Sequence, residues 1–420
     1  MSAATPRILL GELATLVTKG TTPKTLGYLY TKTGIPFLRA ENISDLSVKW
    51  SDDALYIDEV TDKALSRSRI FPNDVLISIA GTIGRVGVVP EEAPPLNCNQ
   101  AVAIVRPGPR VSPRYLAYWL SCGDAQRQIA KAQVTATISN LSLGQISKLE
   151  VPLPPLPEQR RIADILDKAD AIRRKRKQAI ALTDQLLRST FLEMFGDPVT
   201  NPKGWPVATV GDLCEQGGNL VDGPFGSSLK PEHYTSSGVR VIRNWNIRDD
   251  FFDESDFRYV DLTKFEEIRR SEVSAGDILI TTKGTVGDIC MMPSLAGESV
   301  LSASGTVRLR LPPHSVLLAP FVVWQMILPS YKQYLHSFEA GSAQQYLNLS
   351  AIKKMRLVVP SMVYQQRFCD LRLRVLGIKK KQEAAQLDTA ALFSSLTDRA
   401  FRGELSHTEQ VAGQLSMFNK

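Results

Sequence analysis

The chain is poor in residues that would cross-link it or arm it chemically. Its 420 residues include five cysteines (Cys98, Cys122, Cys214, Cys290 and Cys369), an odd number, far apart and with no CxxC pair. This speaks against a disulfide framework or a cysteine zinc site and predicts reduced, mostly buried thiols. Four scattered histidines, His233, His314, His336 and His407, give no metal pair at useful spacing, so no metal and no cofactor are expected. The longest apolar stretch, Leu317 to Leu328, contains Pro320 and is shorter than the ~20 residues of a membrane-spanning helix. The opening MSAATPRILLGELATLV has no basic segment followed by an apolar run and a small-residue cleavage site. No secretory signal, no membrane span and a cytoplasmic location are therefore expected.

Catalytic signatures are missing as well. There is no GxxxxGKS/T, no HExxH and no GxGxxG after a strand. The paired-proline motif of amino-methyltransferases is also absent: Asp197-Pro198-Val199 and Asp222-Gly223-Pro224-Phe225 are its nearest approaches. A chain that is catalytically silent on its own is predicted.

What is present is positive charge and duplication. A formal net charge of +7 favours a polyanionic partner, because lysine and arginine gain free energy by releasing counterions from a nucleic acid. With 43% hydrophobic and 22% charged residues, the chain can bury ordinary cores in two or three domains. The first half then recurs in the second. PRILLGEL, starting at Pro6, returns as PVATVGDL, starting at Pro206; GIPFLRAENI (34–43) returns as GVRVIRNWNI (238–247). PNDVLISIAGTIGRVG (72–87) answers to AGDILITTKGTVGDIC (275–290), and ISNLSLGQISKLEVPLPPLPEQRR (138–161) to YLNLSAIKKMRLVVPSMVYQQR (346–367). The repeat is a whole domain.

Each copy leads into a long helical pattern. Ile162, Ile165, Ala169, Ile172, Arg176, Ala179, Thr183, Leu186 and Thr190 fall at alternating steps of three and four. Phe368, Leu371, Val375, Ile378, Gln382, Ala385, Thr389, Leu392 and Leu396 repeat the same steps at a constant offset of 206. A 3.5-residue repeat over about four heptads predicts two helices that pair as an antiparallel coiled coil. Prolines precede each helix and Gly196 and Gly403 follow them, in the usual order of start and stop signals. Short apolar runs between Gly and Pro predict strands, with helical patches at 113–131 and 320–338. The predicted fold is α+β: two similar mixed α/β domains separated by two long antiparallel helices, an internal pseudo-two-fold repeat. The predicted boundaries are a domain at 1–155, a helix at 156–196, a linker at 197–206, a domain at 207–360, a helix at 361–405 and a tail at 406–420.

Twin domains on a helical frame suit a duplex with two half-sites at fixed separation. The candidate contacts are polar residues after short strands. Arg39 and Asn42, with Arg243, Asn244 and Asn246, have the chemistry for bidentate contacts to guanine or adenine; salt bridges and turn capping are the plain alternatives. Lys19, Thr21 and Thr22 occupy a loop-like polar segment, as do Ser227, Ser228 and Lys230 in the second copy. In the turns Gly81-Thr82-Ile83-Gly84 and Gly284-Thr285-Val286-Gly287, the glycines would let backbone amides approach a phosphate, or simply form a tight hairpin; Lys283 precedes the second turn. The runs Arg173, Arg174, Lys175, Arg176, Lys177 and Lys379, Lys380, Lys381 sit at equivalent helix positions and would hold spacer phosphates, or form a solvated face. Two rival readings are a metal-dependent nuclease built on Asp74, Asp277 or Glu41, and a scaffold that binds only proteins.

Order, spacing and duplication together, including GPFGSSLK (223–230) and the VPLPPLPEQRRI leading into the first helix, resemble the specificity subunit of type I restriction-modification enzymes over about residues 6–405. The resemblance implies target recognition domains that each read one half of an asymmetric site in double-stranded DNA. It also implies two methyltransferase (modification) subunits docked on the chain, with a restriction subunit able to join. The second copy departs from the pattern where PLPPLPEQRR becomes PSMVYQQR, losing prolines and a glutamate.

Overall fold

The computed structural model describes residues 5–50, 55–134, 140–303, 305–339 and 346–405. The predicted tail 406–420, together with Ile138 and Ser139 of the quoted repeat, lies outside them. The chain forms two compact units, one of residues 1–179 and 382–420, the other of 180–381.

In the first unit, strands Arg7–Leu9 and Glu150–Pro152 pair antiparallel, so the chain enters and leaves the head side by side. Between them a six-stranded sheet runs in the order Ala14–Lys19, Val102–Pro107, Val75–Ser78, Val86–Val88, Leu46–Val48, Ile43–Ser44. A four-stranded sheet packs on it, with Ile35–Leu38 parallel to Leu96–Cys98 at its centre. The run Val75-Leu76-Ile77 is buried on both faces, which is why it reads as continuous rather than alternating. Val75, Ile77, Ala103 and Val105 face the helix Pro113–Ser121 and its aromatic residues Tyr115, Tyr118 and Trp119. Leu76, Val102 and Ile104 face the second sheet with Leu38, Leu96 and Cys98.

The second unit repeats this plan. Val207–Thr209 pairs with Arg356–Val358, and a four-stranded sheet runs Asn219–Asp222, Thr306–Arg310, Ile278–Thr281, Ile289–Met291. Val239–Ile242 lies parallel to Ser299–Leu301 in its partner sheet. Each predicted helical patch is two helices: Pro113–Ser121 and Gly123–Val134, then Ala319–Ile327 and Pro329–His336. All five cysteines are free, and four of them are buried.

The same two buried fixtures recur in both units. The carboxylate of Asp74 accepts two bonds from the Arg106 guanidinium (2.8 Å each) and one from the Phe71 amide (2.8 Å). Asp277 does likewise with Arg310 (2.7 Å each) and the Ser274 amide (2.7 Å). At the helix starts, Gln159 accepts from the Ser112 amide (2.8 Å) and donates to the carbonyls of Arg110 (3.0 Å) and Pro154 (2.9 Å). Gln365 accepts from the Leu318 amide (2.9 Å) and donates to Val316 and Pro360 (2.8 Å each). Both glutamines are fully buried, so each bolts the long helix to its head. Gln159→Leu leaves three part-buried backbone groups short of a partner, and is expected to destabilise the first unit by about 1–3 kcal/mol in urea or thermal unfolding; a change within 0.5 kcal/mol would mean that this side chain does not bolt the helix to the head.

The long helices span Leu156–Phe195 and Met362–Phe401, 40 residues each, or ~60 Å at 1.5 Å per residue. In the first unit, Ile162, Leu166 and Ala169 pack against Leu396, Ala400 and Phe401. In the second, Leu187, Phe191 and Phe195 pack against Phe368, Cys369 and Val375, with ring centroids 5.1 Å apart for Phe191 and Phe368. Within each unit the helix segments run antiparallel, since the start of one meets the end of the other. The expected 3.5-residue seam drifts: Leu186 and Ile378 are each 53% exposed, whereas Leu187 is 1% exposed. A straight helix of 3.6 residues per turn slips ~20° per heptad against a 3.5 repeat. Over the stretch from Ile162 to Leu186 the slip is about 70°, most of the way to the next residue.

Candidate nucleic-acid interface

In each head the loops at one end of the main sheet converge. The Ala14–Lys19 strand continues into Gly20, whose amide donates to Val102 (3.0 Å), and Thr21, whose amide donates to Cys98 (3.1 Å). A Cβ on Gly20 would lie 2.1 Å from the Asn99 carbonyl oxygen, so only glycine permits this approach. The Thr22 hydroxyl bonds to the Gln100 side chain, the Asn99 amide to the Leu38 carbonyl (3.0 Å), and the Ile79 amide to Ala101 (2.8 Å). The structure therefore gathers Lys19, Thr21, Thr22, Arg39, Gly81 and Thr82 around the 99–101 loop. In the second head, Gly223 donates to Thr306 (3.1 Å), Ser302 to Ile242 (2.8 Å) and Thr282 to Gly305 (2.8 Å). Asn244 Nδ2 donates to the Lys283 carbonyl at 2.6 Å. This brings together the segments carrying Ser227, Ser228 and Lys230, Arg243 and Asn244, and Lys283, Gly284 and Thr285.

Not every candidate presents its side chain outward. Asn246 is fully buried: its Oδ1 accepts from the Arg243 amide (2.9 Å) and its Nδ2 donates to the carbonyls of Asp253 and Asp256 (2.9 Å each). Asn42 Oδ1 caps the Arg39 amide in the same way at 2.8 Å. These asparagines hold their turns, as the plain reading of capping has it. Arg243 is tied to Asp256 at 2.7 Å and Arg39 to Glu41.

The glycine turns are tight hairpins. Gly81, Gly84, Gly284 and Gly287 all have positive φ, between 71° and 89°. The Ser78 hydroxyl reaches across the first turn to the Thr82 carbonyl (2.6 Å) and accepts from the Arg85 amide (2.9 Å). Thr281 does the same with Thr285 and Asp288. The Gly84 and Gly287 amides are spent on Ser78 (2.9 Å) and Thr281 (2.8 Å), so the outward groups here are the exposed Thr82, Lys283 and Thr285.

The basic runs are partly committed to the fold. Arg173 bonds Asp170 (2.9 Å) and reaches Asp45 (3.3 Å); Arg174 bonds Asp170 and the Ser47 hydroxyl (3.3 Å). Lys177 lies 3.5 Å from Asp45, and Arg176 donates to the Ala385 carbonyl at 2.8 Å. Burial raises the pKa of Asp45, but the Arg173 and Lys177 charges outweigh it and hold the carboxyl below its ordinary value. These contacts fasten the hairpin 43–48 to the first long helix. Lys379 pairs with Asp184 at 2.7 Å. Lys175, Lys380 and Lys381 are exposed and make no ion pair among the described residues. Asp170 lies one turn before Arg173 and Arg174, but the partners Asp45, Ser47, Ala385 and Asp184 are distant in sequence and left no local signal.

The nuclease reading loses two of its three groups. Asp74 and Asp277 are 0% and 2% exposed and neutralised by arginine, and among the described residues no cluster of three or more His, Cys, Asp or Glu could hold a metal ion. Burial pushes the Cys290 thiol up to about 12, as expected of an inert core cysteine. Among the described residues no helix is long and apolar enough to cross a membrane.

Fold and surface define a duplicated α/β protein with one loop cluster per head and a pair of long helices. Residues 8–182 match the family model described as the type I restriction modification DNA specificity domain. The chain is 30% identical over 176 residues to the EcoBI specificity subunit of Escherichia coli, covering 40% of this chain and 36% of that one. It is 23% identical over 390 residues to the EcoKI specificity subunit of Escherichia coli strain K12, covering 89% and 82%. In fold it resembles the S subunit of the type I restriction-modification system from M. genitalium, at TM-score 0.53 and 15% identity over 97% of this chain and 98% of that one. It also resembles a chain from a study of complex assembly in a type I R-M system, at TM-score 0.58 and 17% identity over 96% and 99%. By these matches the chain is similar to the specificity subunits of type I restriction-modification enzymes, most directly over residues 8–182.

The shared string Asn-Leu-Ser at 140–142 and 348–350 is not equivalent residue for residue. Leu141 donates to Ile79 and Leu347 to Thr282, and the next residue caps the following helix: Ser142 in one copy, Asn348 in the other. The true offset here is the same 206 that governs the long helices.

Proposed function

We propose that the protein is the non-catalytic, cytoplasmic DNA-reading subunit of a restriction-modification complex, with each loop cluster reading one half of a two-part, asymmetric site. The long helices set the spacer and, with the helix starts near Gln159 and Gln365, seat two modification subunits; restriction subunits join that assembly. One observation carries this reading: the buried fixtures are the same in both heads (Asp74 with Arg106, Asp277 with Arg310), while the loop clusters differ at positions such as Glu41 against Trp245 and Ala80 against Lys283. A common frame with different surface chemistry is what two readers of unlike sequence need. Assembled with its modification subunits and offered a random duplex library, the chain is expected to select two short sequence blocks a constant distance apart. Selection of no sequence would refute the reading, and magnesium-dependent cleavage by the chain alone would revive the nuclease.

Lys175, Lys380 and Lys381 are the cations left for spacer phosphates, which carry no sequence information. Changing all three to glutamine is expected to weaken binding to specific and unrelated duplexes alike, and to lower the log–log salt slope by about 2–3. Altered base preference in that variant would contradict a phosphate role.

A further inference from the structure

The turns Arg39–Asn42 and Arg243–Asn246 are superposable in logic, each closed by an arginine amide on an asparagine side chain. Each continues into a two-residue strand whose hairpin register also matches: Ile43 pairs with Val48 and Ser44 with Ser47, while Ile247 pairs with Phe252 and Arg248 with Phe251. The side chains at three equivalent positions nevertheless differ. The first head places Glu41, Ser44 and Ser47 where the second places Trp245, Arg248 and Phe251. Trp245 is 56% and Phe251 58% exposed. The Arg248 guanidinium lies over the Trp245 ring, 5.1 Å from its centroid.

Arg248 also differs from the other arginines of these turns. Arg39 and Arg243 are each paired with a carboxylate, whereas the Arg248 side chain donates, among the described residues, only to the neighbouring Ile247 carbonyl at 3.2 Å, with its charge also acting on the Asp253 carboxylate. Its fork of donors is available, and the indole beneath fixes the plane of that fork, reducing the conformational freedom lost when it binds. Trp245 adjoins Asn244, which clasps the Lys283 carbonyl, so the ledge is continuous with the candidate interface. The commonest specific contact of an arginine fork in a major groove is with O6 and N7 of guanine.

We propose that Arg248, held on the Trp245 ring, is a specificity-determining residue that reads one guanine in the second head's half-site, a contact the first head lacks because serine stands at the equivalent position. The proposal rests on the DNA-reading function above. Its test uses the full chain assembled with modification subunits, first to define the wild-type site, then to compare duplexes changed at one base pair at a time. Arg248→Lys keeps the charge but loses the fork: it is expected to reduce discrimination roughly 10- to 100-fold at a single G·C pair and leave the other half-site unchanged. Trp245→Ala, which frees the fork, is expected to weaken preference at that same pair. Uniformly weaker binding to every sequence, unchanged preferences, or loss of modification-subunit binding with DNA preference intact would each overturn the proposal, the last identifying the ledge as a protein-docking surface. A wild-type complex that selects no two-part site would refute the underlying function itself, whereas a two-part site read identically by Arg248→Lys would refute only this residue's role.

Discussion

Exchanging residues 10–149 for the equivalent domain of a relative with a different target is expected to replace one half-site entirely and leave the other as it was. The paired strands Arg7–Leu9 and Glu150–Pro152 make this feasible, because the head enters and leaves its frame through neighbouring strands. The exchange keeps the bolt intact provided the donor offers backbone groups to Gln159 where Ser112 and Arg110 now do. Each mismatched base pair costs about 1–3 kcal/mol, so losing a half-site of several pairs abolishes modification of the original sequence. Methylation assays on hybrid duplexes, each carrying one old and one new half, read the outcome. A swap that altered both halves would show that the heads do not read independently.

The second large effect is geometric. Inserting four residues into each long helix, between Ala179 and Ile180 and between Lys381 and Gln382, lengthens the frame by ~6 Å at 1.5 Å per residue. Four residues turn a helix by about 40° beyond a full turn, while two base pairs of DNA advance ~6.8 Å and turn about 70°. Length and rotation therefore change in the same sense, and the preferred spacer is expected to grow by one to two base pairs with both half-sites retained. Activity on the original spacer should fall at least tenfold, since the second head then meets its bases out of register. An unchanged spacer would mean that the helices do not set the separation.

Much of this was legible in the sequence because the duplication marks framework twice. Buried strands such as Val75–Ser78 and Ile278–Thr281, the glycine turns and the helices recur at nearly constant offset, since core packing and positive-φ turns restrict the residue types allowed. The seam was less legible. A heptad template fits Leu186 and Ile378 by spacing, yet the helices stay near 3.6 residues per turn and expose both. The candidate site mixed two kinds of residue for a similar reason. Asn42 and Asn246 have base-reading chemistry, but the turns use the Oδ1 of the first and both amide atoms of the second. Arg173 and Arg174 look free beside Lys175 until Asp170, one turn earlier, and the distant hairpin at Asp45 and Ser47 are seen to engage them. The Trp245–Arg248 ledge left a trace that comparing the copies position by position would have caught: an arginine two residues before and Asn-Ile after both Glu41 and Trp245, two residues that share no chemistry.

The central claim is that two unlike heads on one chain read separate parts of a duplex. Mapping modified bases across the genome of a host that carries the complex, with and without this chain, tests it most directly. The account predicts that the marks dependent on this chain fall in one asymmetric motif, two specified blocks around an unspecified spacer of fixed length. Marks in a single uninterrupted or palindromic motif, or marks that persist when the chain is removed, would contradict it.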